Sequence, residues 1–198
     1  MIKFLNMSEE EPYLIFKNKY ESCIQSNQKN AEAMCVASYS NKKKEVSARY
    51  VNLKYIDNKE FIFFSNYNSP KASDFNSHNQ ISAVLYWCNI EVQIRLKGSI
   101  KKTSKELNQK YFSDRSEKKN ALAISSNQSK QIDSYSQVIE NYNWSLESDD
   151  LKKCPEYWGG FSFIPYYFEF WVGHESRINK REVFDKTEGI WKHSFLQP

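Results

Sequence analysis

The chain has 198 residues, of which 16% are aromatic and 26% charged, and a net charge of +4 at pH 7. That length carries a single domain with a substantial core, and the composition excludes a disordered chain. The positive excess is too small, and too little interleaved with exposed aromatics, for a nucleic-acid groove.

Residues 10–28 place Leu14, Ile15, Phe16, Tyr20, Cys23 and Ile24 at helical spacing, with Pro12 suited to a first turn. "AMCVASYS" (33–40), "EVSARYVNLKYI" (45–56) and "FIFFSN" (61–66) read as three strands of an antiparallel meander. Residues 69–79 predict a short helix capped by Ser69, with Pro70 at its first position. "QISAVLYW" (80–87) and "IEVQIRLKGSIKK" (90–102) form a hairpin turning at Cys88-Asn89. The pattern turns helical from Thr103 to about Trp144, then returns to strands at 161–173, 181–186 and 190–197. Strands, a helical insert and strands again predict a barrel closed by its C-terminal end, with helices outside.

The five glycines, Gly98, Gly159, Gly160, Gly173 and Gly189, build neither a G-x-G-x-x-G turn nor a P-loop. Any phosphate must be held mainly by side chains. Cys23, Cys35, Cys88 and Cys154 are scattered, and with three histidines they show no zinc-like spacing, so no metal is expected. Reduced thiols and the absence of a long apolar start point to a cytoplasmic protein with no membrane span.

Four stretches could carry chemistry. Arg49 and Lys54 lie five apart on one strand, hence on opposite faces unless a bulge intervenes; otherwise they are two solvated edge cations. Ser65, Ser69 and Lys71 surround a helix start, which favours an anion, although ordinary capping also explains them. Tyr111 and Arg115 share a helical face that Lys119 extends, a pairing also common on surfaces. The aromatic strand "YWGGFSFIPYYFEFWVGHESRINKR" ends in Arg177 and Arg181.

Taken in order, these segments resemble the pyridoxine (pyridoxamine) 5′-phosphate oxidase family, flavoproteins of the split-barrel fold. The likeness runs from about Glu11 to Pro198. "EEPYLIFKNKY" looks like the family's D-P-x-x-L-F-x-x-W, "RYVNLK" its R-x-V-L-L-K, and "FFSNYNSPK" its F-Y-T-N-x-x-S-R-K. "YFSDRSEKKNALAISSNQS" is similar to Y-F-x-x-R-P…S-x-Q-S, and residues 157–181 to W-G-G-[FY]-x…E-F-W-Q-x…R-x-H-D-R. The closing "WKHSFLQP" is similar to W-x-x-x-R-L-x-P.

The resemblance implies a mainly β, α+β fold: a split barrel of antiparallel strands with peripheral helices, dimerising with FMN at the interface. One domain would span 1–198, with 1–10 flexible and 103–148 a helical insert. Arg49 and Lys71 would pair with the FMN phosphate, helped by Ser65 and Ser129, with Gln93 and Gln128 near the flavin. Tyr50, Val51, Lys54 and Phe64 belong to the same cofactor-binding segments, and Trp171 and Arg181 would reach the flavin from the partner subunit. Lys54, Tyr111, Arg115 and Lys119 would grip the substrate phosphate, with Arg177 and Asn179 as the catalytic pair over the substrate ring.

The implied activity is oxidation of pyridoxamine or pyridoxine 5′-phosphate to pyridoxal 5′-phosphate by oxygen. The chain departs from the family pattern at Asn179 (histidine there), Lys180 (aspartate), Lys119 (serine) and Pro70 (arginine), and most of the arm before the first helix is missing. These departures keep two alternatives open: oxidation of another ring, such as a phenazine, and binding of FMN or pyridoxal phosphate without turnover.

Overall fold

The structure is a computed structural model describing residues 1–198. The elements are β1 (Lys3–Leu5), α1 (Glu11–Gln25), β2 (Ala33–Ser40), β3 (Glu45–Asp57), β4 (Glu60–Asn66), α2 (Pro70–Ser77), β5 (Gln80–Trp87) and β6 (Val92–Lys102). There follow α3 (Lys105–Asp114), α4 (Glu117–Ser125), α5 (Tyr135–Ser148), β7 (Trp158–Val172), β8 (Lys180–Thr187) and β9 (Ile190–Leu196). No helix is long and apolar enough to cross a membrane.

Antiparallel pairing runs β3–β2–β5–β6–β7–β4 and returns to β3, closing a six-stranded barrel. Closure depends on β7. It pairs with β6 along most of its length, with β4 through Trp158–Phe163, and with β8 through Tyr167–Val172. A one-residue bulge falls between those two halves, where Lys97 faces Tyr167 but Gly98 faces Pro165. Tyr166 is the extra residue, and Pro165, which has no N–H to give a ladder, sits beside it, at the kind of irregularity in a sheet interior that tolerates proline. Gly98 opposite it is needed for space: a Cβ there would stand 2.7 Å from the Ile164 carbonyl oxygen and 2.9 Å from the Phe163 ring.

Alternation along the strands sends one face inward. Phe61, Phe63, Phe161, Phe163, Phe168 and Phe170 are all buried in one core with Ile94 and Leu96. Helix α1 lays Tyr13, Phe16, Tyr20 and Cys23 against that core, with the Phe16 ring edge-on to Phe61 at 5.1 Å and to Trp87 at 5.7 Å. Leu14 and Ile24, expected on the same apolar stripe, are exposed, so the packed face is rotated from the one the sequence suggests.

Residues 1–10, expected to be flexible, make defined contacts with the rest of the fold. Residues 3–5 form a parallel strand on β3, Ile2 is buried, and its N–H donates to the Tyr20 hydroxyl at 2.8 Å. Further on, Glu10 accepts from Lys59, Lys186 and the Trp191 indole, fastening the entry of α1 to the β8–β9 hairpin. The segment is held by one buried apolar side chain and this clasp, signals too short for a periodicity to reveal.

Gly98→Ala is expected to cost about 1–3 kcal/mol through overpacking against backbone that cannot withdraw. Urea unfolding, compared at constant slope, measures it.

Candidate functional site

A cavity of about 1080 Å³ opens between β3, β4 and the helical insert. Of the expected residues, Arg49, Tyr50, Val51, Lys54, Phe64 and Ser65 line it, as do Lys71, Tyr111, Arg115, Lys119, Gln128 and Ser129. Seven of its lining side chains are Lys or Arg, and a single carboxylate, Asp114, opposes them.

The first group of cations lies where β4 runs into α2. Lys71 is buried, and its Nζ donates to Ser65 Oγ (2.7 Å), Ser69 Oγ (3.0 Å) and Gln128 Oε1 (3.3 Å), all neutral oxygens. Ser69 therefore faces the lysine and does not cap α2 with its side chain, contrary to the capping reading. Burial, reinforced by the nearby Arg49 charge, pushes the Lys71 ammonium down to about 8. Arg49 Nη1 donates to Ser38 Oγ at 2.7 Å, and Ser38 in turn donates to Asp74 at 2.7 Å. Burial also lowers Arg49, while the Asp74 charge works against that. Two cations thus lie side by side, and only neutral oxygens touch the buried one.

The second group stands on β3, α3 and α4. Leu53 pairs with Phe63 and Tyr55 with Ile62, so Lys54 is an extra residue bulged out of β3. Leu53 and Ile56, three apart, are consequently both buried, and Arg49 and Lys54 line one cavity. The bulge alternative for that strand is the one realised. Burial lowers Lys54, the Glu32 charge works against that, and the Lys119 and Arg115 charges add to it. Its nearest carboxylate, on Glu32, is 3.9 Å away.

Helix α3 stops at Asp114 and α4 begins at Glu117, so Lys119 does not extend the Tyr111–Arg115 face as expected; the turn between the helices aims it into the cavity instead. Tyr111 does not stack on Arg115. Its ring lies parallel to Phe64 at 3.7 Å, while Arg115 sits 5.2 Å over Trp158 and donates to the Lys119 carbonyl at 3.0 Å. Burial raises the Tyr111 phenol, with Arg115 opposing, so near neutral pH it is a proton donor.

The remaining expected residues lie away from this cavity. Trp171, Arg177 and Asn179 line a separate recess of about 740 Å³ with Glu91, Gly173 and His174. Arg177 has a left-handed backbone (φ 60°), a strained setting for a side chain of that size, closed by its N–H on the His174 carbonyl at 2.8 Å. Asn179 Oδ1 accepts from the His174 backbone N–H at 3.0 Å, so half of its amide is spent on closing the β7–β8 loop. Gln93, Trp171 and Arg181 stand side by side across β6, β7 and β8 on the outer barrel face. Arg181 is not a free cation: Nε and Nη2 reach Glu169 Oε1 at 2.9 and 2.8 Å, and Nη1 reaches the Gln197 carbonyl at 3.1 Å.

Sequence reasoning missed Glu169 and Trp158. Glu169 is 1% exposed and also accepts from Arg95 (2.7 Å) and the Tyr167 hydroxyl (2.8 Å). Burial raises its carboxyl, but the bonds from Tyr167 and Arg181 and the Arg95 charge outweigh that and hold it below the usual range. An acidic residue inside an aromatic β7, opposite Arg95 on one neighbouring strand and diagonal to Arg181 on the other, was the available signal. Trp158 is held parallel to Phe64 and Tyr111, and it carries Arg115.

A closed split barrel with a cation-lined cavity beside it and an aromatic outer strand defines the structural class. Residues 17–141 match the pyridoxamine 5′-phosphate oxidase family, and residues 158–198 match the pyridoxine 5′-phosphate oxidase C-terminal dimerisation region. The chain is 35% identical over 190 residues to a pyridoxine/pyridoxamine 5′-phosphate oxidase of Coxiella burnetii, covering 95% of this chain and 96% of that one. It is 34% identical to the enzyme of the same name from Christiangramia forsetii, covering 96% of this chain and 89% of the relative. The fold matches the crystal structure of PhzG from Burkholderia lata 383 in complex with tetrahydrophenazine-1-carboxylic acid, at a TM-score of 0.90, 22% identity, and 95% and 93% of the two chains. The chain belongs to the pyridoxine/pyridoxamine 5′-phosphate oxidase family, and its last forty or so residues are that family's dimerisation region.

Two predictions follow from the charges. An unfolded lysine keeps its proton to about 10.5, whereas folded Lys71 releases it near 8, so the unfolded state binds more protons between these values and stability rises with pH across the window. Ligand-free Lys71→Met should lack that rise and melt higher than wild type below pH 8, by roughly 2–4 °C per kcal/mol relieved. Differential scanning calorimetry across that pH range checks both. Glu169→Leu should cost about 1–3 kcal/mol, because Arg95 and Arg181 lose their carboxylate while remaining partly open to solvent. The wild-type contribution is present above pH 4.5 and lost as pH falls through the lowered folded value, so acid unfolding of the two proteins should converge.

Proposed function

We propose that the protein is an FMN-dependent oxidase that converts pyridoxamine or pyridoxine 5′-phosphate to pyridoxal 5′-phosphate, working as a homodimer in the cytoplasm. The observation that carries this is the pair of cation clusters in one cavity, Arg49 with Lys71 and Lys54 with Arg115 and Lys119; no carboxylate touches Lys71, and the nearest to Lys54, on Glu32, stands 3.9 Å away. Two phosphates, one on the cofactor and one on the substrate, are what such a cavity suits. The four cysteines are all free thiols, in keeping with a reducing compartment.

The residues present fit FMN: a buried ammonium surrounded by neutral oxygens, an adjacent guanidinium, and Ser65, Gln128 and Ser129 along the same wall. When bound, FMN supplies the hydride acceptor, and dioxygen takes the electrons onward as hydrogen peroxide. Lys71 and Arg49 hold the cofactor phosphate, and binding relieves their mutual repulsion. Lys54, Arg115 and Lys119 hold the substrate phosphate, with the neutral Tyr111 hydroxyl donating to it. The Phe64–Tyr111–Trp158 stack fixes these groups, so little ordering remains to be done when substrate arrives. Arg177, held in a strained turn, comes from the partner's β7–β8 loop to place positive charge over the substrate ring, and Trp171 and Arg181 border the same space. With an amine substrate, oxygen and water are consumed and the aldehyde, ammonia and peroxide are released.

A second reading, oxidation of a ring without phosphate, is favoured by one feature: Asn179 cannot titrate, and its oxygen is already taken by the His174 N–H. The readings separate in one experiment. FMN-loaded protein mixed anaerobically with pyridoxamine 5′-phosphate should lose its visible flavin absorbance, then regain it with peroxide on admitting oxygen. Bleaching only by a non-phosphorylated ring would favour the second reading, and a flavin that stays oxidised with every candidate would leave a binding protein. Arg115→Leu should raise KM for the phosphorylated substrate by about tenfold to a hundredfold, the worth of one charge-assisted contact, without weakening FMN. Lys71→Met should do the reverse.

A further inference from the structure

Lys3 lines the main cavity, although it precedes every segment that the family resemblance covers. Strand β1 places it there. Lys3 is in parallel register with Tyr55, next to the bulged Lys54, and Tyr55 meets the Tyr111 ring edge-on at 5.7 Å. The strand is anchored on both sides of this residue. Ile2 is buried with its N–H on Tyr20, Phe4 packs against the Tyr20 ring at 5.5 Å, and the Leu5 carbonyl accepts from Asn58 at 2.9 Å. Lys3 itself is exposed and bonded to no carboxylate; Glu32, the acidic group nearest Lys54, lies 3.9 Å from Lys54. A cation on a pinned strand, facing a cavity with one carboxylate, is presented to a ligand and not simply solvated.

We infer that Lys3 is a further binding residue for the phosphate monoester of the ring ligand, a fourth cation added to Lys54, Arg115 and Lys119. This rests on the proposed function, because it assigns the second cluster to the substrate phosphate. Lys3 recognises the dianion through charge at the mouth of the cavity, and the cofactor phosphate cluster at Lys71 is independent of it.

The test is titration of FMN-loaded protein with pyridoxal 5′-phosphate, and with pyridoxal as the non-phosphorylated control, at low and at high salt. Lys3→Gln is expected to weaken pyridoxal 5′-phosphate roughly three- to tenfold at low salt, the range of a single exposed ionic contact. Pyridoxal binding and FMN retention should not change, and Lys3→Arg should restore the affinity. Lys3→Gln binding pyridoxal 5′-phosphate as tightly as wild type overturns the inference while leaving the oxidase reading intact. Wild-type protein that binds pyridoxal no less tightly than its phosphate overturns both. A uniform loss of FMN in Lys3→Gln, with no selective effect on the phosphate, would assign Lys3 to the wall of the fold and also overturn the inference.

Discussion

The double pairing of β7 governs the architecture. One strand of fifteen residues closes the barrel against β4 with its first half and carries the β8–β9 sheet with its second. The same closure stacks Trp158 on Phe64 and so fixes the floor under Tyr111 and Arg115. Beyond the bulge, the strand turns Trp171 outward and ends in the loop that holds Arg177. A single backbone ladder thus positions both the main cavity and the surface offered to a second subunit.

The cavity is electrostatically unbalanced in the absence of ligand. Lys71 is paid for elsewhere in the fold, since burial and Arg49 both disfavour its charge and no carboxylate compensates. Glu169 is the opposite case: a buried anion satisfied on both oxygens by Arg95, Arg181 and Tyr167. Charge is paired directly on the outer sheet face, whereas in the cavity no carboxylate touches Lys71 and Lys54 has only Glu32 at 3.9 Å.

Much of this was legible in the chain. Period-two alternation located the strands, and Pro70, Pro12 and the turn residues set most boundaries. The absence of a glycine cradle directed attention to side chains, and seven Lys or Arg side chains line the main cavity. What stayed hidden depended on distant contacts. Whether Arg49 and Lys54 could share a cavity turned on a bulge that only the pairing with β4 reveals. The Tyr111–Arg115 spacing suggested a local pair, but each found a better aromatic partner across the fold, Phe64 and Trp158. Three residues of β1 were too short for any pattern, and their order comes from Ile2, Tyr20 and the edge of β3.

Because β4 must wait for a partner some hundred residues downstream, the barrel is unfinished until the C-terminal fifth has been synthesised. A nascent chain ending before Trp158 exposes two hydrophobic sheet margins, β4 and β6, which invite intermolecular pairing. Glu10 gives the same ordering a second time, since its contacts with Lys186 and Trp191 close only after nearly the whole polypeptide has left the ribosome. Closure of the barrel therefore comes late in synthesis, and a chain stopped before Trp158 would be left with both margins unpaired.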